Sequence, residues 1–322
     1  MKRELKSKVD LFLENKKKMR AGFRFEDEAT CLLTSFLYAD IDKPIDINKL
    51  VDSQNIIRDN TNIFSDYRFI SLIVASKMAM HSKPEDYFKK VNNYSKKLKE
   101  KRKISSLYSI LTSMILSDYN GKINDNKYIE KEKRIFNLMN KKHPILTSED
   151  DIPFTMLLAL SDKNEKNIVD ESEECYLELK KNIKHSKDAC QAMANILVLS
   201  DKKQEEKTKK ILEIYSLLKK HRKNIEDKFV LTVLATLIFV DKDSKDIVND
   251  IIEVDNYIGC KKGAGLWPYG KLTRLLFAIL LVESTYGNET FGNTKNSIAI
   301  SAVVAEQVIT LILVMSMLLL MD

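Results

Sequence analysis

Residue types able to do chemistry are sparse in this chain, and the tightest grouping is Asp150 and Asp151, with His143 upstream. Two neighbouring carboxylates could share a metal ion or divide the roles of acid and base, and an imidazole could add a ligand or relay a proton. The spacing works against that chemistry. Adjacent residues do not share a helix face, and no His-x-x-x-His pair or Asp-x-Asp-x-Asp-Gly loop accompanies them. Helix capping accounts for the same residues. Ser148 with Asp151 three positions on is a capping-box pattern, and Pro153 suits a first helical turn.

The remaining candidates are equally plain. His143, His185 and His221 follow basic residues at the ends of amphipathic stretches, where the negative pole of a helix favours cations. Packed helices lie about 10 Å apart, too far for one metal ion to join histidines of successive units at about 2 Å per ligand. No P-loop, no strand-borne Gly-x-Gly-x-x-Gly and no Gly-x-Ser-x-Gly elbow is present. The sequence therefore nominates no catalytic residue, no metal ligand and no cofactor, and nothing in it argues for an enzyme. For binding, the best place is residues 263–270 (GAGLWPYG). Three glycines and a proline cannot all continue a helix, and Trp267 and Tyr269 are aromatics that such a break could present. The structural alternative is a hinge with Trp267 packed beneath it.

The elements that would position these residues recur at a step of about forty. Residues 33–40, 111–118, 155–162, 194–201 and 234–241 are apolar blocks ending in aspartate, and from Asp118 onward the closing aspartates are 44, 39 and 40 residues apart. Weaker copies end near Ser82 and Ser284. Between these blocks runs a second series, marked by Tyr94, Phe136, Tyr176, Tyr215 and Tyr257. Its clearest copy sets Ile211, Ile214, Tyr215 and Leu218 on one helical stripe, with Lys209, Lys210, Glu213 and Lys219 opposite. The first series is apolar nearly all round, so its helices should be enclosed on several sides. A fixed period of this length marks stacked units that cannot bury their apolar faces alone. The expected fold is all-α: an α-solenoid of about six to seven helix-pair repeats of roughly 40 residues, with no β-sheet. Only 5 Pro and 8 Gly, and no hairpin signal between alternating apolar residues, leave a sheet without support.

The expected organisation is a basic N-terminal capping helix over residues 1–24, a repeat array over 25–296 broken at 263–270, and an apolar C-terminal helix over 297–322. Residues 298–321 would reach about 36 Å as a helix, enough to cross a bilayer. Glu306 and Gln307 fall near their middle, where a carboxylate is costly in hydrocarbon. Docking on the last repeat is therefore the expectation, with a membrane-associated tail anchor as the alternative.

Four cysteines without a Cys-x-x-Cys pair, and a basic N-terminus without a secretory pattern, point to a reducing cytoplasm. Cys175 and Cys190 read as buried free thiols. The net charge is +7, and residues 89–103 hold eight basic residues against Glu100 alone. Such a run could hold phosphates, but it lacks interleaved stacking aromatics, so a solvated helix face is the simpler reading.

Residues 143–159 (HPILTSEDDIPFTMLLA), and 252–257 (IEVDNY) leading into 262–267 (KGAGLW), resemble the domain-of-unknown-function 4003 family of bacterial proteins. The resemblance runs along almost the whole chain. It implies a helical protein with no assigned activity, cofactor or catalytic residue. The leading functional expectation is a scaffold that binds a protein or peptide partner. The alternatives are an RNA-binding helical repeat and a helical enzyme without a recognisable motif.

Overall fold

The forty-residue rhythm resolves into helices of two kinds. The structure, a computed structural model, describes residues 1–119, 125–184, 186–222, 225–261 and 270–287, and among these residues every regular element is helical. They divide into two units, one of residues 10–119 and one of residues 1–9 with 125–287. Helix α1 (Arg3–Gly22) contributes to both. Residues 298–321 lie outside the described residues, and so do Trp267, Tyr269 and His185. Among the described residues, no helix is long and apolar enough to cross a membrane.

The unit of residues 10–119 continues from α1 through α2 (Glu28–Asp40), α3 (Ile47–Asp59), the one-turn α4 (Asp66–Phe69), α5 (Ser71–Ala79), α6 (Pro84–Lys101) and α7 (Ser106–Asp118). Helix α2 is buried from Ala29 to Ala39 because its sequence is apolar on all sides, and Asp27 caps its start by accepting from the Thr30 amide at 3.0 Å. The wholly buried Asn15 ties α1 to the segment after α2. It donates to the carbonyls of Ser35 and Lys43 and accepts from the Ile45 amide at 2.9 Å. Asp118, one of the aspartates that close the apolar blocks, pairs with buried Lys77 at 3.0 Å and accepts from the Tyr87 hydroxyl at 2.9 Å.

The other unit contains α8 (Asp125–Lys142), α9 (Ile152–Leu160), α10 (Glu165–Asn182), α11 (Lys187–Val198), α12 (Gln204–His221), α13 (Lys228–Leu234), α14 (Ser244–Cys260) and α15 (Lys271–Tyr286). Its long amphipathic helices pack in succession, α8 on α10, α10 on α12 and α12 on α14. The short apolar helices do the same, α9 on α11, α11 on α13 and α13 on α15. Every residue of α9 is buried, as an all-round apolar sequence requires. The stripe read from α12 is buried at Ile211, Ile214, Tyr215 and Leu218, while Lys209, Glu213 and Lys219 stay exposed. Residues 1–9 belong to this unit: the Met1 amino group pairs with Glu253, and the Lys6 ammonium lies 5.8 Å from the centre of the Tyr257 ring.

Lysines close the ends of the apolar helices. The last carbonyls of a helix have no partner within it, and here Lys90 donates to Ser117 O at 2.8 Å, Lys131 to Ser161 O at 2.5 Å and Lys210 to Val240 O. Lys210 thus turns back toward the backbone, away from the solvated side on which the helical stripe places it. Burial pushes its ammonium down to about 8. Helix α10 carries Glu171 at the position five before its marker aromatic, where Lys131 and Lys210 stand in α8 and α12. There two other lysines serve the end of α11. Lys163 donates to Val198 O at 2.6 Å and Ser200 O at 3.1 Å, Lys207 donates to Ser200 O at 2.9 Å, and both pair with Glu171.

The four cysteines are free. Burial pushes the thiols of Cys31 and Cys175 up to about 12 and that of Cys190 up to about 11, so all three are inert packing groups.

Candidate functional site

The residues that the sequence singles out are separately engaged. Ser148 and Asp151 form the expected capping box, with the Ser148 amide donating to Asp151 Oδ2 at 3.0 Å. Asp150 accepts from the Ser148 hydroxyl and lies 3.9 Å from the Lys228 ammonium. His143 pairs instead with Glu173, 2.6 Å from Nε2, and its ring meets the Tyr176 ring edge-on at 4.9 Å. The crevice beside His143, lined also by Met139, Glu173 and Gln191, holds only about 10 Å³. That volume has room for no ligand larger than a water molecule. No hydrogen bond or ion pair joins His143 to either aspartate.

Asp151 still carries a measurable consequence. Burial, and then the charge of Asp150, push its carboxyl up to about 7. An unfolded aspartate titrates near 3.9, so the folded chain holds this proton more tightly. The resulting stability is complete below about pH 4 and is lost as the pH rises to about 7. Asp151→Asn keeps the capping acceptor and removes the titration. We expect the fall in unfolding free energy between about pH 5 and about pH 8 to shrink by about 1–2 kcal/mol in the variant, a figure reduced because the side chain is partly solvated. Identical falls in both proteins, measured by urea denaturation, would refute the assignment.

A cleft with room for a ligand lies elsewhere, among α12, α14 and α15. It measures about 690 Å³ and is lined by Leu218, His221, Arg222, Ile252, Asp255, Asn256, Lys271, Leu272, Arg274 and Leu275. Ligand sites commonly run from about 300 to 1,000 Å³ and combine apolar walls with a few polar groups. Leu218 comes from the stripe that buries α12, and Ile252 is half-buried beside the buried stripe of α14. Arg222 follows the last residue of α12, and Lys271 opens α15.

Asp255 is the centre of the polar wall. Its Oδ1 accepts from Arg274 Nε at 2.8 Å, and its Oδ2 accepts from Arg274 Nη2 at 3.3 Å and from Arg222 Nη2. Arg222 also donates through Nη1 to the Lys271 carbonyl at 3.0 Å, which ties the end of α12 to the start of α15. Gly259 makes the arrangement possible. A Cβ at that position would stand 2.6 Å from Arg274 Nη1, so only glycine leaves the guanidinium its place against α14. Each guanidinium has five N–H donors, and the carboxylate and carbonyl engage a minority of them.

Sequence reasoning passed over Arg222, Asp255 and Arg274. They are 33 and 19 residues from their partners, and each looks like an ordinary charge on an amphipathic helix. One signal was present: Ile252, Asp255 and Asn256 belong to the 252–257 motif, which proves to face the cleft. Trp267 and Tyr269 belong to the connection from α14 to α15, outside the described residues.

Residues 15–309 match the model of a family described as protein of unknown function (DUF4003). No curated protein and no solved structure matches the chain.

Proposed function

The chain belongs to the DUF4003 family, whose description assigns no activity, and from the cleft itself we propose that the protein is an interaction scaffold that holds a protein or peptide partner. In this reading the helix pairs form an α-solenoid of about six to seven repeats, working in the cytoplasm. The successive packing of like helices in the unit of residues 125–287 supports the solenoid. The free cysteines support a reducing compartment. The observation that carries the reading is the cleft among α12, α14 and α15, where apolar side chains and oriented guanidinium groups line one wall system. Catalysis needs reacting groups brought within hydrogen-bond reach of one another, and this cleft offers recognition groups instead.

A photo-crosslinking amino acid placed at Asn256, which is exposed and lines the cleft, tests the proposal in the native cell. The control position is Lys209, exposed on α12 and away from the cleft. A discrete protein adduct from position 256 and none from position 209 is the expected outcome. No adduct, or the same adducts from both positions, would overturn the proposal. An adduct removed by ribonuclease would replace it with an RNA-binding function.

A further inference from the structure

We propose that the α12–α14–α15 cleft recognises the carboxylates of an acidic peptide whose intervening side chains are apolar. This rests on the scaffold reading above and names the chemistry of the partner.

The argument begins with charge. Among the described lining residues Arg222, Arg274 and Lys271 are cationic and Asp255 alone is anionic. A wall with this excess attracts anions and disfavours cationic ligands. The Lys271 ammonium makes no hydrogen bond or ion pair among the described residues, so its charge remains available to a ligand.

Orientation adds specificity. Asp255 fixes both guanidinium planes through one carboxylate and leaves most of their N–H groups free. Planar donor forks set in this way match the two oxygens of a second carboxylate. The ordering of the arginine side chains is completed on folding, so a ligand does not bear that entropic cost.

Size and polarity exclude a bare ion. The cleft of about 690 Å³ is many times larger than a single oxyanion, and the half-buried Ile252 and Leu272, backed by the buried Leu218 and Leu275, line the remainder. Its complement is an anionic group carried on an apolar body. Alternating acidic and aliphatic side chains provide both within one short segment.

Fluorescence anisotropy with the full chain provides the test. The probe is a fluorescein-labelled octapeptide alternating leucine and glutamate, compared with its glutamine counterpart and competed with inorganic phosphate. We expect the glutamate peptide to bind at least about tenfold more tightly than the glutamine peptide, the size of effect one charge-assisted contact supplies. Its affinity should fall as salt rises. Lys271→Gln should weaken it about tenfold, and that substitution disturbs no described side-chain contact. Gly259→Ala should do the same by displacing the Arg274 guanidinium, while better helix propensity keeps the fold intact. Equal binding of the two peptides, unchanged affinity in Lys271→Gln, or no peptide binding would each overturn the proposal. Displacement by phosphate without peptide selectivity would assign the cleft to a small oxyanion instead. Selective peptide binding with no cellular adduct at position 256 would leave this chemistry standing and remove the scaffold function. An adduct that persists in Lys271→Gln would do the reverse.

Discussion

Glu171→Ala is expected to lower the unfolding free energy by about 3–5 kcal/mol, the cost of breaking a buried ion pair from one side. The Lys207 side chain is fully buried, and Glu171 is the carboxylate that compensates it. Lys163 stands on the other carboxylate oxygen at 3.0 Å, and both ammonium groups also reach the Ser200 carbonyl. Removing Glu171 leaves two cations with only the carbonyls of Val198 and Ser200 to receive them. Burial already lowers the proton affinity of Lys207, opposed by its bond to Glu171. Without that bond the lysine releases its proton more readily, so the folded form of the variant gains stability as the pH rises through the lowered value. Urea denaturation across a pH series therefore has two expected outcomes: a large deficit near neutrality and a smaller one under alkaline conditions. Replacing the pair together, as Glu171→Leu with Lys207→Met, should restore most of the loss, because no charge is then left buried. A single variant with near wild-type stability would show that the cluster is not electrostatically coupled.

Asp255→Ala should cost about 3 kcal/mol, because one substitution removes the acceptor of two partly buried guanidinium groups. Arg222→Gln and Arg274→Gln should each cost less, since each leaves the other pair in place. The distinguishing outcome is non-additivity. In the Asp255→Ala background Arg274→Gln should lower stability little further, because its partner is already gone, and Arg222→Gln should cost only its remaining bond to the Lys271 carbonyl. Asp255→Asn, which keeps an oxygen acceptor and loses the charge, should fall between wild type and alanine. Additive losses across this double-mutant cycle would mean that the three side chains are held by their surroundings and not by one another.

Most of the helical architecture was legible because it depends on local periodicity. The stripe Ile211, Ile214, Tyr215 and Leu218 repeats at helical spacing, and burial follows directly. The Ser148–Asp151 capping box was legible for the same reason, since donor and acceptor are three residues apart. Lys207 shows where the pattern was readable and was not used. It lies four residues before Ile211, on the apolar face, and a lysine in that register must be buried with a partner. Its partner Glu171 lies 36 residues away, beyond anything periodicity describes. The Arg222–Asp255–Arg274 cluster is hidden by the same distance. The basic run from 89 to 103 was legible as a solvated face, since Lys89, Lys90, Lys96, Lys97, Lys99, Lys101 and Lys103 are exposed; the bond from Lys90 to the Ser117 carbonyl, 27 residues away, was not.

The lysine bonds to the ends of the apolar helices also set how the structure comes apart. Lys131 and Lys210 each stay within one helix pair, α8 with α9 and α12 with the segment that follows α13. Opening such a pair breaks its own latch and no other. At α11 the latch is shared, because Lys163 precedes α10, Glu171 lies within it and Lys207 arrives from α12. Neither α10 nor α12 can leave without stranding a charge that belongs to the other. Three consecutive helices are thereby fused into one cooperative block, set among pairs able to fluctuate singly, so local unfolding should be graded along the unit with its slowest step at the charge-swapped repeat.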